Sequence, residues 1–381
     1  MRKKILILTA PVGGGHVATA KAIAQALTTV YGDAYDIEVC DVFTDPGLKL
    51  LLPLDKIAVP AYSNSVKILN SYPYKLFFDF ANVNPKFVSQ FFTTIFREKG
   101  MAYFKLKNPD IIVSTFPIIS YAAARILNEV GEHRVPVVSI VTDAGAVHKL
   151  WLMSPTDDIL VSTPETIDYA VKHGVPRDRL HYLGFPVRRE FSELPDRQTA
   201  RRQLGLQDLP TTYLTGGGLG LSTKLVTIAK RLAKQETGGQ YIFQVGRNER
   251  QVEELKSLDF KDPVQVYGWV DNVPQLLAAS DLVVGKAGWL TLNEAMIAKR
   301  PTIIINVVPG QEEPNAVFVE SNGVGRVLKE PSEAADAIAD YMSHPNKLAA
   351  FAPHFERLGL DPHAGDKVAK FIIERMEVGA K

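Results

Sequence analysis

Short apolar runs alternate with helical patterns along the whole chain. In the first half, six runs rich in β-branched residues predict strands: KILILTA, DIEVCDV, DIIVSTF, VPVVSIVTD, DILVSTP and LHYLGFP. The second half has six more: TTYLTGG, YIFQVGR, VQVYGWV, DLVVGKAG, TIIINVV and GRVL. Continuously apolar strands separated by helices are typical of parallel sheets that are covered on both faces. The pattern predicts an α/β protein with two doubly wound domains.

The domain boundaries follow from a change in composition near the middle of the chain. The stretch FPVRREFSELPDRQTARRQ is charged and twice interrupted by proline, which predicts a linker near residues 186–200. We place an N-terminal domain at residues 1–190 and a C-terminal domain at 200–360. Residues 361–381 contain the amphipathic pattern DKVAKFIIERMEV, which predicts a helix that could pack on either domain.

Composition limits which binding partners and which cellular compartment we expect. The 381-residue chain has a net charge of +1, so no overall basic field favours nucleic acid. The single cysteine, Cys40, excludes an internal disulfide, and its apolar surroundings predict a buried thiol. No run of about 18 apolar residues and no signal-peptide pattern is found. We therefore expect a cytoplasmic protein.

Residues 47–107 interrupt the alternation of strands and helices. This insertion contains 12 of the 34 aromatic residues, and 9 Lys and Arg against 3 Asp and Glu. Aromatic side chains beside exposed cations are typical of a surface that contacts anionic lipid. The alternative is a helical subdomain whose aromatics fill its own core while its lysines are solvated.

The stretch APVGGGH places His16 directly after three glycines, at the end of the first strand. Gly13, Gly15 and Ala18 satisfy the dinucleotide-binding pattern G-x-G-x-x-G/A, and Asp41 ends the next strand where a ribose-binding acid belongs. An NAD(P)-dependent oxidoreductase is thus one hypothesis. That pattern has no use for an imidazole, so His16 favours acid–base chemistry, unless it only hydrogen-bonds to its neighbours.

Three further motifs follow strands of the second half. They are the glycine-rich turn YLTGGGLG, the loop KAG before a helix that bears Glu294, and the turn PGQEEPN. A helix N-terminus suits a pyrophosphate, and carboxylate and amide groups suit sugar hydroxyls. Each motif alone could be a surface loop. Because parallel strands end at one edge of a sheet, together they predict a single ligand crevice.

Several motifs together resemble one enzyme family. GGGH, VTDAGAVHKLW, GFPVRREF, TGGGLG, YGWVDNVPQLLAASDLVVGKAG and PGQEEPN, in this order, are similar to motifs of GT-B glycosyltransferases that make glycolipids. These are the diacylglycerol glucosyl- and galactosyltransferases, with MurG as a more distant relative. The resemblance implies two Rossmann-like domains facing a cleft, a UDP-sugar donor and an inverting reaction. It also implies a diacylglycerol acceptor and no metal or other cofactor.

The same resemblance assigns roles to individual residues. His16 matches the proposed general base, and Glu294 matches the carboxylate that binds the ribose. The remaining donor-binding residues would be Gly216, Gly217, Gly218 and Gly220, Lys286, Ala287 and Gly288 at the diphosphate, Val270 at the uracil, and Gln311, Glu312 and Asn315 at the sugar. Gly14, Gly15, Asp143 and His148 would lie on the acceptor side, although Asp143 and His148 could equally form a structural pair. The chain departs from the family at Trp289 and Leu290, where small residues are usual.

The resemblance also favours the membrane interpretation of the insertion, because diacylglycerol stays in the bilayer. The expected contacts with an anionic membrane are Lys67, Lys75, Lys86, Phe77, Phe78, Phe91 and Phe92. The protein would then lie peripherally on the inner face of the cell membrane. The donor could be UDP-glucose or UDP-galactose, and another lipid-linked acceptor stays open. A non-catalytic sensor of the same fold is the alternative outside enzymology.

Overall fold

The computed structural model describes residues 2–12, 14–48, 72–130, 135–218 and 224–379. The chain forms two compact units, of which the first contains the described residues up to Arg189 and the segment from Asp361 onward. The second unit runs from Glu190 to Leu360. Each unit contains one six-stranded sheet in which all strand pairs are parallel. The predicted fold class is confirmed.

The first unit has the strand order β2-β1-β3-β4-β5-β6, so the direction of winding reverses between β1 and β3. Such reversals create the crevice in which open α/β sheets bind ligands. The described elements before the second unit are β1 (Lys4–Thr9), α1 (Gly14–Tyr31), β2 (Asp36–Asp41), α2 (Tyr72–Val83), α3 (Pro85–Lys107), β3 (Ile111–Ser114), α4 (Pro117–Val130), β4 (Val137–Ile140), α5 (Lys149–Leu152), β5 (Asp158–Leu160), α6 (Pro164–Lys172) and β6 (Leu180–His181).

The second unit has the strand order β12-β11-β10-β7-β8-β9, with its reversal between β7 and β10. Its described elements are α7 (Arg197–Gln203), β7 (Thr211–Thr215), α8 (Lys224–Leu232), β8 (Gln240–Gln244), α9 (Glu249–Lys256), β9 (Val264–Tyr267), α10 (Val273–Ala279), β10 (Leu282–Lys286), α11 (Trp289–Ile297), β11 (Thr302–Asn306), α12 (Glu313–Ser321), β12 (Gly325–Val327), α13 (Pro331–Ser343) and α14 (Ala352–Leu358). The chain then returns to the first unit as α15 (Ala364–Gly379).

All twelve strands predicted from the sequence are present. The central strands β3, β4, β7 and β8 are buried along their whole length, which explains their apolar runs. The edge strand β9 is only half-buried, and Gln265 interrupts its apolar residues. Burial on both faces is therefore the physical source of the sequence signal.

The predicted linker is partly helical. Asp196 caps α7 by accepting a hydrogen bond from the backbone N–H of Thr199 at 3.0 Å. On the buried side of α7, a guanidinium N–H of Arg201 donates to Asp281 at 2.6 Å, and Arg197 pairs with the same carboxylate. Asp281 precedes β10, so this ion-pair group fixes α7 to the sheet of the second unit.

The insertion forms a helical hairpin within its described part, from α2 to α3. Its inner face packs on the first unit through Ala81 and Val88, which contact Ile118 and Leu150. Among the described residues, no helix combines the length and apolar character needed to cross a bilayer.

Cys40 lies in β2 and is buried, as expected. Its thiol donates to the Asp45 carboxylate at 3.5 Å. Burial raises the pKa of the thiol to about 12, so it stays protonated at neutral pH.

The C-terminal helix α15 packs on the first unit. Its buried face, which includes Ile372, lies against Ile23 and Leu27 of α1. Arg375 of α15 also donates to the buried carboxylate of Asp158 at 2.8 Å. The sequence left the choice of domain open, and these contacts decide it.

Replacing Ile372 by alanine removes buried atoms from this contact and leaves a cavity. Such truncations cost about 2–5 kcal/mol. We expect Ile372→Ala to lower hydrogen-exchange protection in α1 and β1, whereas peptides from β7 to β12 should be unaffected. The exposed neighbour Lys370→Ala is the matched control. Equal loss of protection in both units would contradict this packing.

Candidate active site

His16 lies in the first turn of α1, at the point where the first sheet reverses its winding. Its Nδ1 is 2.7 Å from the backbone carbonyl of Thr115, which directly follows β3. A carbonyl only accepts hydrogen bonds, so Nδ1 carries the proton of the neutral ring. Nε2 is then the basic nitrogen. The hydroxyl of Thr142, after β4, also lies 3.0 Å from Nδ1.

Thr115 holds the backbone of His16 as well as its ring. Its hydroxyl donates to the His16 carbonyl at 3.1 Å and lies 2.9 Å from the Thr9 hydroxyl. Around the imidazole, the Phe116 ring makes an edge contact at 5.2 Å and the Trp151 ring lies at 6.3 Å. His16 is only 6% exposed. The orientation and tautomer of the ring are fixed by groups that follow β3 and β4, and Trp151 of α5 completes its surroundings.

The glycines before His16 leave open space. A Cβ added at Gly14 or Gly15 would meet no other atom within 4 Å, so packing within the chain does not require glycine there. A ligand can approach the main chain at this turn. Gly13 lies outside the described residues. Asp41 closes a turn, since its carboxylate accepts from the backbone N–H of Phe43 at 3.0 Å.

His148 makes two hydrogen bonds that support the local structure. Its Nε2 lies 3.0 Å from the backbone carbonyl of Phe78 in α2, and its Nδ1 accepts from the backbone N–H of Leu150. Burial lowers the pKa of the ring, which favours the neutral form that makes both bonds. His148 therefore joins the helical hairpin to α5. Asp143 directly follows Thr142 and is half-buried.

In the second unit, the glycine-rich turn follows β7. Two of its backbone N–H groups are already bonded: Gly216 donates to the Gln244 carbonyl at 2.9 Å, and Gly217 donates to the Thr215 hydroxyl at 3.0 Å. A Cβ at Gly246 would lie 2.5 Å from the carbonyl oxygens of Gly217 and Gly218. These glycines allow two loops to approach closely. Gly220 lies outside the described residues.

Lys286 and Glu312 form an ion pair at the end of β10. Glu312 is 2% exposed, and its second oxygen accepts from the backbone N–H of Val308 at 3.1 Å. The Lys286 side chain passes close to two glycines: a Cβ at Gly217 would lie 3.7 Å from its Cε, and one at Gly288 would lie 2.5 Å from its Nζ. The structure thus brings the loops after β7, β10 and β11 together.

The remaining donor-side candidates surround this ion pair. Asn315 is buried in α12 and donates to the Ala287 carbonyl at 3.0 Å. Ala287 itself donates to the Asn306 carbonyl at 2.9 Å. Glu294 is buried in the second turn of α11. Gln311, beside Glu312, and Val270, after β9, are half-buried.

Trp289, where the chain departs from the family pattern, lies in the interior of the second unit. The Trp289 side chain is buried and packs edge-to-face on Phe318 of α12, with ring centroids 5.2 Å apart. The larger residue at this position therefore fills the space between α11 and α12. Gly288 still supplies the turn that precedes α11.

Several residues near these sites escaped the sequence analysis. Thr115 and Thr142 each lie near the C-terminal end of a predicted strand, in VSTFP and IVTDA, and this position was the signal that could have identified them. Arg247 and Trp269 follow β8 and β9 in the same way. The role of Arg247 and Trp269 depends on contacts between loops, which the spacing of residues in the sequence does not reveal.

The expected membrane residues fall into different environments. Lys86 and Phe91 are exposed, whereas Phe92 packs against the core. Phe78 packs on the His148 ring at 4.3 Å, and Lys75 pairs with Asp79 at 2.7 Å. Lys67 and the side chain of Phe77 lie outside the described residues.

The hairpin nevertheless presents an apolar outer face, which we call the apolar ridge. It consists of the exposed side chains Leu76, Phe80, Val83, Phe87 and Phe91. The first three are spaced at i, i+4 and i+7, so they form one stripe of α2. The rings of Phe80 and Phe87 lie 6.2 Å apart and connect the two helices. Large exposed apolar patches mark interaction surfaces.

Within the described ranges, no group of three or more His, Cys, Asp or Glu side chains is arranged to hold a metal ion.

Comparison with known proteins finds similar sequences along both halves of the chain. A sequence model described as monogalactosyldiacylglycerol (MGDG) synthase matches residues 16–187, and one described as the glycosyltransferase family 28 C-terminal domain matches residues 211–354. The chloroplastic monogalactosyldiacylglycerol synthase 1 of Arabidopsis thaliana is 31% identical over 359 residues, covering 91% of this chain and 66% of the plant protein. The Spinacia oleracea enzyme is 30% identical, with 89% and 66% covered. The chain thus spans slightly less than two thirds of these relatives.

Solved structures agree on the fold. MurG of Acinetobacter baumannii superposes with a TM-score of 0.60 at 16% identity, covering 98% of this chain and 99% of MurG. A UDP-GlcNAc 2-epimerase of Neisseria meningitidis has a TM-score of 0.59 at 13% identity, covering 99% and 100%. Likeness at such low identity concerns the fold alone, and these two proteins have different reactions. Together with the matched sequence models, it shows a GT-B fold whose two halves match the MGDG synthase domain and the glycosyltransferase family 28 C-terminal domain.

Proposed function

We propose that this protein transfers a hexose from a UDP-sugar to the hydroxyl of diacylglycerol, with inversion at the anomeric carbon. The observation that carries this proposal is the His16 site. A buried imidazole whose Nδ1 proton is bound by the Thr115 carbonyl has its basic Nε2 set for proton abstraction. Similarity to the MGDG synthases supplies the substrate class. Either UDP-glucose or UDP-galactose is the donor, and the names of the relatives favour galactose.

The reaction is a single displacement. Nε2 of His16 takes the proton from the acceptor hydroxyl as its oxygen forms a bond to the anomeric carbon. The bond between that carbon and the diphosphate breaks on the opposite face, and UDP leaves. An α-linked donor therefore gives a β-glycoside, and His16 holds the proton. The contacts with Thr115 and Thr142 orient the ring throughout.

The donor would bind the second unit at the reversal between β7 and β10. The N-terminus of α11 favours the negative charge of the diphosphate, so the reaction needs no metal ion. Glu294 would accept hydrogen bonds from the ribose hydroxyls. Glu312 and Asn315, with Gln311, would bind the hexose.

The apolar ridge would bring the enzyme to its lipid acceptor. The described part of the insertion adds an excess of Lys and Arg to the ridge: 6 basic residues against 2 acidic ones in residues 72–107. Apolar side chains insert into a bilayer, while nearby cations are attracted to anionic lipids. We infer a peripheral location on the cytoplasmic face of the membrane.

The direct test is transfer itself. Purified protein is incubated with each of several UDP-sugars and diacylglycerol in anionic vesicles, and the lipids are analysed by mass spectrometry and NMR. The proposal requires a β-hexosyl diacylglycerol. Binding of NAD(P) without binding of UDP would support the oxidoreductase hypothesis. UDP binding without any glycolipid would support a sensor, and transfer only to another lipid-linked acceptor would redefine the substrate.

His16→Ala removes the proposed base. We expect turnover to fall by about 10²–10⁴-fold, the usual contribution of a positioned base, while UDP affinity stays unchanged. Activity is measured by glycolipid formation and affinity by calorimetry. The control is His173→Ala, which removes an exposed histidine of the same unit. Turnover within tenfold of the wild type would exclude His16 as the base.

Glu294→Ala and Glu312→Ala separate ribose binding from sugar binding. Glu294→Ala should weaken the binding of UDP by about 1–3 kcal/mol, because the ribose hydroxyls lose their hydrogen-bond acceptor. Glu312→Ala should leave UDP binding intact and weaken the binding of the UDP-sugar. The exposed Glu313→Ala is the control. Both affinities are measured by calorimetry. A similar loss of UDP affinity in the two variants would contradict this division.

Phe80→Ser combined with Phe87→Ser tests the apolar ridge. Both rings are exposed, so the fold should persist, but sedimentation with anionic vesicles should fall several-fold. UDP binding should not change. The control pair is Val317→Ser with Val378→Ser, two other exposed apolar residues. If the phenylalanine variant sediments like the wild type, the membrane contact lies elsewhere.

A further inference from the structure

The Thr142 hydroxyl carries a hydrogen that no described residue accepts. Nδ1 of His16 lies 2.7 Å from the Thr115 carbonyl and 3.0 Å from the Thr142 hydroxyl. Because a carbonyl only accepts, Nδ1 carries the hydrogen of the neutral ring, and the Thr142 oxygen must accept from it. Within the described ranges, the Thr142 side chain makes no other hydrogen bond. Its hydroxyl hydrogen can therefore be donated to a group from outside the chain.

The hydroxyl of Thr115 differs in this respect, although it also lies against His16. It donates to the His16 carbonyl at 3.1 Å, so its hydrogen is used within the protein. Thr142 is as buried as His16, since each residue is 6% exposed. A buried donor without an acceptor costs about 1–3 kcal/mol. A ligand that accepts a hydrogen bond beside the imidazole would remove this cost.

The position of Thr142 on the ring limits which ligand group it can reach. Nδ1 and Nε2 face different sides of the imidazole, so a single ligand atom cannot contact both Thr142 and Nε2 of His16. A ligand that reaches both must carry a hydrogen-bond acceptor a few bonds away from its reacting hydroxyl. Apart from that hydroxyl, the polar atoms of diacylglycerol are ester oxygens, which only accept. The ester carbonyl on the central glycerol carbon, next to the carbon that bears the hydroxyl, meets this requirement.

We propose that Thr142 donates a hydrogen bond to the ester carbonyl on the central glycerol carbon of the acceptor lipid, and so makes the enzyme selective for acyl over alkyl glycerolipids. Thr142 then contacts both the base and the substrate, since its oxygen accepts from Nδ1 and its hydrogen holds the ester. An alkyl ether at the same carbon has no carbonyl and leaves the hydroxyl hydrogen unpaired. The inference rests on the proposed function, because it assumes a glycerolipid hydroxyl at Nε2.

Matched short-chain lipids test the selectivity on the wild-type protein. Dioctanoylglycerol and dioctylglycerol differ only in their ester or ether linkages, and mixed lipids with one ester and one ether separate the two positions. Hexose transfer from the UDP-sugar is measured as kcat/KM. An ester at the central carbon should be preferred over an ether by about 3–10-fold, the contribution of one neutral hydrogen bond. Equal use of both linkages at this carbon would overturn the proposal.

Variants of Thr142 link the preference to this hydroxyl. Thr142→Val keeps the shape of the side chain without the hydroxyl, so the ratio of ester to ether kcat/KM should fall to about one. Thr142→Ser should keep the wild-type ratio. Loss of the contact with the imidazole slows transfer to both lipids alike, so the ratio is the readout and not the rate. The matched control is Thr29→Val, which removes an exposed hydroxyl of α1.

Two outcomes separate this inference from the proposed function. An unchanged ratio in Thr142→Val would overturn the inference and leave the hydroxyl as a contact of His16 alone. If the wild-type protein transfers no hexose from any UDP-sugar to any of these lipids, the proposed function itself fails.

Discussion

Parallel pairing of every strand is the constraint from which both sites arise. A parallel sheet requires a crossover after each strand, so all strand carboxyl ends meet at one edge of the sheet. In the first unit this edge brings Thr115 and Thr142 to His16. In the second unit it gathers the loops after β7, β8, β9, β10 and β11. The residues that act together are therefore distant in sequence and adjacent in space.

The donor-side turn shows how glycine serves packing as much as ligand binding. Gly216 and Gly217 use their N–H groups within the protein, and Gly246 permits contact with the neighbouring carbonyls. The Lys286–Glu312 pair is internally neutral, so the N-terminus of α11 contributes the uncompensated positive partial charge at these loops. The glycines thus shape the site, while side chains and helix ends determine its electrostatics.

The hairpin of the first unit combines a rigid attachment with an apolar surface. His148 bonds to both α2 and α5, and Ala81 and Val88 pack on the unit beneath. The apolar ridge faces away from these contacts. Because α5 also contributes Trp151 to the surroundings of His16, the hairpin and the imidazole share one supporting helix.

The sequence by itself determined the twelve strands, their alternation with helices and the buried Cys40, because burial on both faces leaves a continuous apolar signal. It also pointed to His16 as a candidate base, since the dinucleotide-binding pattern has no use for an imidazole in that loop. Only the tertiary structure decided that α15 packs on the first unit, that Trp289 turns into the core and that Phe92 is a packing residue. It alone brought the Thr142 hydroxyl to His16. These outcomes depend on which faces meet across distant segments, and local pattern carries no information about that.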